Sequence, residues 1–376
     1  MASTFQLLLN GTAADDNLQN ALSSLEVEEN ADLPGAIQLN LNISRSEIDD
    51  LSFVNDAGLQ PLANIAVVAT PKDKPDECIF DGYVLSHKLH LETGITNSSL
   101  QVWGQDASWL MNLEEKTREW VDVTDADVAN TIFNEYNFTP ASDNTEDDSP
   151  SHTEDGHSLM QRGSDIQFLR NLARRNGKFC RVACTAKPGQ QHGYFASPKL
   201  DGDPVLTLVL NDPEAWTVRA LDFDWDVTRP SAVKASQAIF SDSNEDGVSG
   251  DRNDSELPLL DARSIADFAG KPMTVLLTAP VDDAGELQLR AKSLLRESGW
   301  FVRCEGEADV SRLNAVLRVG TVVQIEGVGS LNSGKYYVWS VRHTLTRDSH
   351  KMKFTLVRNA VGPPHKGSSG LLGGLL

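Results

Sequence analysis

Asp242, Asn244, Asp246 and Gly247 in the stretch DSNEDG stand where the first half of a calcium loop carries its oxygen ligands and its turning glycine. Such a loop closes with a bidentate carboxylate at its twelfth position, and Asn253 stands there, with Asp251 and Asp254 out of register. The stretch 242–254 therefore reads as a solvated loop. Cys180 and Cys184 followed by His192 could offer zinc ligands, but no second pair at standard spacing completes a site. Two thiols four residues apart in a strand share one face, so packing accounts for both. His152 and His157 fall in an acidic stretch where solvation is the expectation, and His87 and His90, at odd separation in a strand, point to opposite faces.

No nucleophile elbow, P-loop or dinucleotide glycine fingerprint occurs, and GVGSLNSG reads as a hairpin turn. With 54 acidic residues some carboxylates always lie near others, so nothing singles out a glycosidase pair. The expectation is a chain that is not an enzyme and holds no cofactor or metal. Two charged patterns remain. In LDFDWDVT, Leu221, Phe223, Trp225 and Val227 alternate with Asp222, Asp224 and Asp226, so a strand would bury an aromatic face and gather three carboxylates on the other, a candidate lumen wall. In GSDIQFLRNLARRNGKFCRV, Arg170, Arg174, Arg175 and Lys178 lie mainly off the Ile166, Leu169, Leu172 stripe, as a solvated or subunit-facing surface would.

The elements that must position these residues follow two periods. GAIQLNLNIS alternates Ile37, Leu39, Leu41 and Ile43 with polar residues, a half-buried strand, and ANIAVVAT, ECIFDGYVLSHKLHLE and SLQVWGQD continue the pattern of a small barrel or sandwich. In TDADVANTIFNEYN the period lengthens: Thr124 and Asp127 have capping-box spacing, and Val128, Ile132 and Tyr136 form a helical stripe. Residues 139–156 are nearly devoid of apolar side chains and are expected to be a mobile loop. Ser164 with Gln167 suggests a reciprocal N-cap, and Gly177 a left-handed C-terminal cap, for a helix over roughly 165–176. KFCRVACTA and HGYFASP follow as two strands. From 205 the chain returns to β patterning and repeats the logic of its first half, with one helix over AGELQLRAKSLLRESG carrying Leu287, Ala291, Leu294 and Leu295.

At 376 residues the chain exceeds the size of one usual core. The expected fold is β-rich α+β, two β-rich units, each a small barrel or sandwich, joined by smaller α/β elements. Its parts are a first β-rich unit at 1–113, an α/β connection at 114–204, a second β-rich unit at 205–360 with an acidic loop at 241–256 and a helix at 284–298, and a flexible tail at 361–376. A net charge of −21 disfavours stable binding to nucleic acid or an anionic membrane. The four cysteines are too scattered for a disulfide framework. The N-terminus lacks the pattern of a secretory signal, and no apolar run approaches the roughly 18 residues of a membrane span. Assembly in the cytoplasm, without membrane insertion, is the expectation.

In order, these stretches resemble the baseplate hub proteins of contractile tails, the phage late control gene D proteins and the N-terminal hub portion of VgrG. SDIQFLRNLARRNGKFCRV is similar to the family pattern at Ser164, Asp165, Phe168, Leu169, Leu172, Ala173, Gly177 and Phe179. FDGYVLSHKLHLETGITNSSLQVWGQDASWLM, VDVTDADVANTIFNEYNF and LRVGTVVQIEGVGSLNSGKYYVWSVRHTLTRDSHKMKFTLVRN resemble the family's flanking segments, so the resemblance covers about residues 1 to 360. It implies two tube-like β-barrel domains per chain, at 1–113 and 205–360, joined by smaller α/β elements, and a homotrimeric adaptor of six similar barrels in a bacterial phage tail or injection particle between a sixfold inner tube and a threefold spike, with an inner tube protein, a separate spike protein and other baseplate proteins as partners. Arg170, Arg174 and Arg175, and Leu371, Leu372, Leu375 and Leu376 of the tail GLLGGLL, are candidate subunit contacts. The alternative is a secreted β-rich protein that binds carbohydrate or cells, with calcium.

Overall fold

The computed structural model describes residues 5–45, 50–94, 97–145, 149, 151–154, 158–237, 248–249, 251–278 and 284–363. The first array is built from β1 (Phe5–Leu9), β2 (Thr12–Ala13), α1 (Asp16–Ala21), β3 (Leu22–Asn30), β4 (Ala36–Asn42), β5 (Asn64–Ala69), β6 (Glu77–His90) and β7 (Ser99–Asp106). Ile37, Leu39 and Leu41 of β4 are buried as their alternation requires.

The connecting piece comprises β8 (Glu115–Trp120), α2 (Asp125–Glu135), β9 (Thr139–Pro140), β10 (Leu159–Ser164), α3 (Asp165–Arg175), β11 (Phe179–Cys184) and β12 (Gln191–Ala196). The capping box of Thr124 and Asp127 forms at α2, a device worth about 1 kcal/mol. Val128, Ile132, Leu169, Leu172 and Phe195 close a core of their own.

The second array has β13 (Thr207–Val209) and β14 (Val218–Trp225), then an inserted unit of β15 (Ala232–Gln237), β16 (Val248–Ser249), α4 (Ile265–Ala269), β17 (Thr274–Leu277) and α5 (Ala284–Ser298). It resumes with β18 (Val302–Asp309), α6 (Val310–Leu313), β19 (Val322–Glu326), α7 (Gly329–Asn332), β20 (Gly334–Thr346) and β21 (Ser349–Arg358). In the insertion, Leu287, Ala291 and Leu295 of α5 pack on Val233 and Ala235 of β15 as a small separate core.

The fold is the expected β-rich α+β architecture, and the duplication is visible strand by strand. The first array runs in the order β1-β5-β6-β7-β4-β3 and the second in the order β13-β19-β20-β21-β18-β14, all within one sheet because β3 pairs with β20. Register shifts recur at matching places: Val84/Ser86 in β6 and Val338/Ser340 in β20, Leu22/Ser24 in β3 and Val218/Leu221 in β14. The arrays differ at their first strands, since β1 lies antiparallel to β5 and β13 parallel to β19.

Two local expectations are corrected. Ser164 precedes α3 without capping it, because its hydroxyl donates to Asn112 Oδ1 at 2.7 Å, and Gln167 Nε2 turns to the same oxygen at 3.5 Å. Much of the described part of 139–156 is pinned rather than mobile. Thr139 and Pro140 pair with β12, buried Asn144 bonds the Gly193 carbonyl at 2.8 Å, and His152 bridges to Val123. Backbone pairing and the polar side chains of Asn144 and His152 supply the ordering that apolar burial there cannot.

Candidate functional site

The junction of the two arrays is where charged chemistry concentrates. β3 and β20 pair antiparallel from Ser340 opposite Asn30 to Leu345 opposite Leu25. Arg342 reaches Glu28 at 2.9 Å, and largely buried Arg318 donates to Glu29 Oε1 from Nη2 at 2.7 Å and from Nε at 2.9 Å, with Nε also 3.2 Å from Oε2 and Glu77 at 3.7 Å. Burial pushes the Glu77 carboxyl up, and the Arg318 charge opposes it. One guanidinium thus ties a carboxylate of β3 and one of β6 to the loop before β19, using several donors of a planar cation as only arginine can.

The face outside the array cores carries charges of both signs. Across the register, Glu307, Lys353, Arg342 and Glu28 stand side by side on β18, β21, β20 and β3. Asp222 and Asp224 lie exposed on β14, opposite Glu305 and Arg303 of β18. Asp226 follows the strand, its carboxyl held below the usual range by the hydroxyl and amide of Thr228. The carboxylates therefore share their surroundings with Arg303, Lys351 and Lys353. The aromatic face expected to be buried is only partly so. Phe223 is half-buried, but Trp225 is 55% exposed, because β14 is an edge strand.

The basic face of α3 is turned substantially toward its own chain. Arg175 lies 3.5 Å from buried Asp125, which also accepts from Asn176 Nδ2 at 2.6 Å and faces His152 Nε2 at 2.7 Å. His152 is thereby held by α2 instead of being merely solvated. Arg174 pairs with Asp32 at 3.0 Å, and buried Lys178 lies over the Phe195 ring. Arg170 has buried Nε and Nη2 atoms without hydrogen-bond partners among the described residues, and its charge partly offsets the burial that raises Asp106. Gly177, at φ +63°, leaves α3 in the left-handed cap, where a Cβ would lie 2.9 Å from Ser293 Cα of α5. Arg174, Phe179, Arg296, Trp300 and Trp339 wall a cleft of about 300 Å³ beside that contact.

Asp165 anchors the other end of α3. Burial would raise its carboxyl, but hydrogen bonds from Lys116, Tyr136 and Gln161 prevail and lower it. Lys116 Nζ is 2.6 Å away, and the Tyr136 hydroxyl, itself pushed up to about 12 mainly by burial, is 2.7 Å away.

Among the described residues, no group of three His, Cys, Asp or Glu side chains is arranged to hold a metal. Cys180 is in the core, and the Cys184 thiol donates to the Cys78 carbonyl at 2.9 Å. Asp251 accepts from the Ala235 amide and Asp254 from the Glu256 amide, while Asp242, Asn244, Asp246 and Gly247 lie outside the described residues. So do His157, Leu371, Leu372, Leu375 and Leu376. A buried pair that spacing did not single out is His343 and His350, whose rings meet at 3.0 Å across the β20–β21 hairpin. Burial lowers both to about 3. Their separation of seven residues becomes a contact only once the hairpin register is known.

A family model described as Alg8 N-terminal domain matches residues 1–347. No curated protein matches the sequence. Among solved structures, a tail protein from Neisseria meningitidis is similar at TM-score 0.64 and 14% identity, over 96% of this chain and 97% of that one. The 43 kDa tail protein of prophage MuSo2 from Shewanella oneidensis gives 0.66 and 12%, over 96% and 100%. The E. coli c3393 protein, a component of the type VI secretion system, gives 0.56 and 13%, over 95% and 79%. At these identities the likeness is one of fold, shared with phage tail and type VI secretion proteins. No helix among the described residues is long and apolar enough to cross a membrane.

Proposed function

The chain belongs to the Alg8 N-terminal domain family, and from that premise and its fold we propose that it is a structural baseplate hub of a contractile phage tail or related injection system. Three copies form an adaptor between a sixfold inner tube and a threefold spike, and the role is mechanical rather than catalytic. The observation that carries this reading is the tandem repeat of two arrays in the same strand order, joined edge to edge through β3 and β20. A ring of three such chains presents six similar barrels to one partner and three identical chains to the other, so a symmetry mismatch is met by duplication inside the chain.

In this reading the domains are 1–113 and 205–360 as barrels, 114–204 as the connection and 361–376 as a tail. The inner tube protein, a separate spike protein and other baseplate proteins are its partners. Asp222, Asp224 and Asp226 line the channel, where their charge repels polyanionic cargo. Arg174, the most exposed of the three α3 arginines, is the better placed of them for a neighbouring chain.

The test is light scattering of the full chain alone and with its inner tube and spike proteins. A trimer that coassembles with both is the expected result. A chain that stays monomeric in the presence of both overturns the reading.

A further inference from the structure

The intrachain junction has a counterpart with both halves left open. Walking the register from β20 through β21, β18 and β14, and from β6 through β7, β4 and β3, superposes the two arrays residue by residue. Ser340 falls on Ser86 and Arg342 on Lys88. Thr355 falls on Trp103, Glu305 on Gln38, Asp222 on Glu26 and Asp224 on Glu28. The sequences agree with the walk: Tyr83-Val84-x-Ser86-x-Lys88-x-x-Leu91 against Tyr337-Val338-x-Ser340-x-Arg342-x-x-Leu345, and Leu25-Glu26-Val27-Glu28 against Leu221-Asp222-Phe223-Asp224.

Within the chain, β20 is covered by β19 over its first residues and by β3 from Ser340 to Leu345. β6 is covered by β5 over its first residues, but from Ser86 to His90 only β7 lies beside it among the described residues. β14, the counterpart of β3, pairs with β18 alone among the described residues. Open edges of this kind are templates for strand addition. Their side chains are unfinished too. Leu345 and Leu25 are fully buried at the intrachain junction, whereas Leu91 is 53% exposed, Leu89 40% exposed and Leu221 half-buried.

We infer that β6 of one copy pairs antiparallel with β14 of a second copy in the register of the β20–β3 junction, setting Lys88 opposite Asp224, His90 opposite Asp222, Leu89 opposite Phe223 and Leu91 opposite Leu221. Lys88 and Asp224 then repeat the Arg342–Glu28 ion pair, and Leu91 and Leu221 repeat the buried Leu345–Leu25 pair. Each chain offers one edge of each kind, so the contact is head to tail and propagates around a ring. The inference rests on the hub reading for ring closure, and the occupant it names is this chain itself.

The test uses the full chain with Lys88→Cys and Asp224→Cys together. Residues directly opposite across an antiparallel pair have Cβ atoms about 4.5–5.5 Å apart, and diagonal ones about 7–8 Å. Mild oxidation should therefore give a reducible crosslinked species of three chains for the pair 88/224, but not for Lys88→Cys with Asp222→Cys or for either single variant. Lys88→Glu should abolish the oligomer and Lys88→Glu with Asp224→Lys should restore it, with thermal melts of the monomer unchanged. Trimers that coassemble with tube protein yet do not crosslink at 88/224 overturn the strand pairing and leave the hub reading standing. Crosslinking at 88/224 in dimers or open chains supports the pairing and overturns the threefold hub. A chain that stays monomeric with tube and spike proteins overturns both.

Discussion

The long strands β6 and β20 share a motif and a bulge, yet one is half bare and the other is fully dressed. On β20, Val341, His343 and Leu345 are fully buried, whereas on β6 the equivalent His87 is half-buried and Leu89 and Leu91 are exposed. Of these three places only Leu345 and Leu91 carry the same amino acid, and for that pair the difference lies in the neighbour: β3 covers one edge and nothing among the described residues covers the other. In the proposed ring that exposed edge is the place a strand of the next copy fills.

The strongest way to break this contrast is to remove the clasp on the occupied side. Arg318→Ala leaves Glu29 and Glu77 facing each other without their cation, and denaturant unfolding should show a loss of about 3–5 kcal/mol. Truncating equivalent leucines comes next. Leu345→Ala should cost about 2–5 kcal/mol in the monomer, whereas Leu91→Ala should change the same measurement by no more than about 0.5 kcal/mol. Equal costs in both variants would mean that the β6 edge is already covered.

Acid should weaken the covered side selectively. His343 lies near the Arg318 charge, and His350 feels His343 and, in the opposite sense, Asp309. Both rings titrate near 3 in the folded chain against 6.5 when unfolded. Between those values the unfolded state binds more protons, so stability present above about pH 6.5 is lost as pH falls. Linkage puts the loss on the order of 2 kcal/mol per ring between about pH 7 and about pH 5. Melting curves of wild type and His343→Gln/His350→Gln across that range test it, and an equally steep fall in the variant would contradict it. The smallest effect belongs to Glu28→Gln. Its pair with Arg342 is substantially exposed, so less than about 1 kcal/mol should be lost in the monomer.

Period-2 alternation made β4 and its neighbours legible, and capping chemistry placed the N-terminal end of α2 and the Gly177 end of α3, because those signals are local. What escaped was set by distant partners. Ser164 has the right type for a cap but finds Asn112 first. Trp225 alternates like a core residue but stands on an edge. His152 sits in an acidic stretch but meets Asp125, 27 residues away. The repeat of Tyr-Val-x-Ser-x-basic was in the sequence, yet its spacing of 254 positions has meaning only after two bulges align the sheets. The candidate lumen strand was found as a strand, while the cations opposite and beside it came from β18 and β21, far away in sequence.

The unit from β15 to α5 interrupts only the second array, between the counterparts of β3 and β4. In the proposed ring it would recur on every other barrel, like a flag on alternate teeth of a gear. Six teeth would then mesh with a sixfold partner while three flags mark a coarser rotation, so the inserted unit would give a repeated part a memory of which repeat it is.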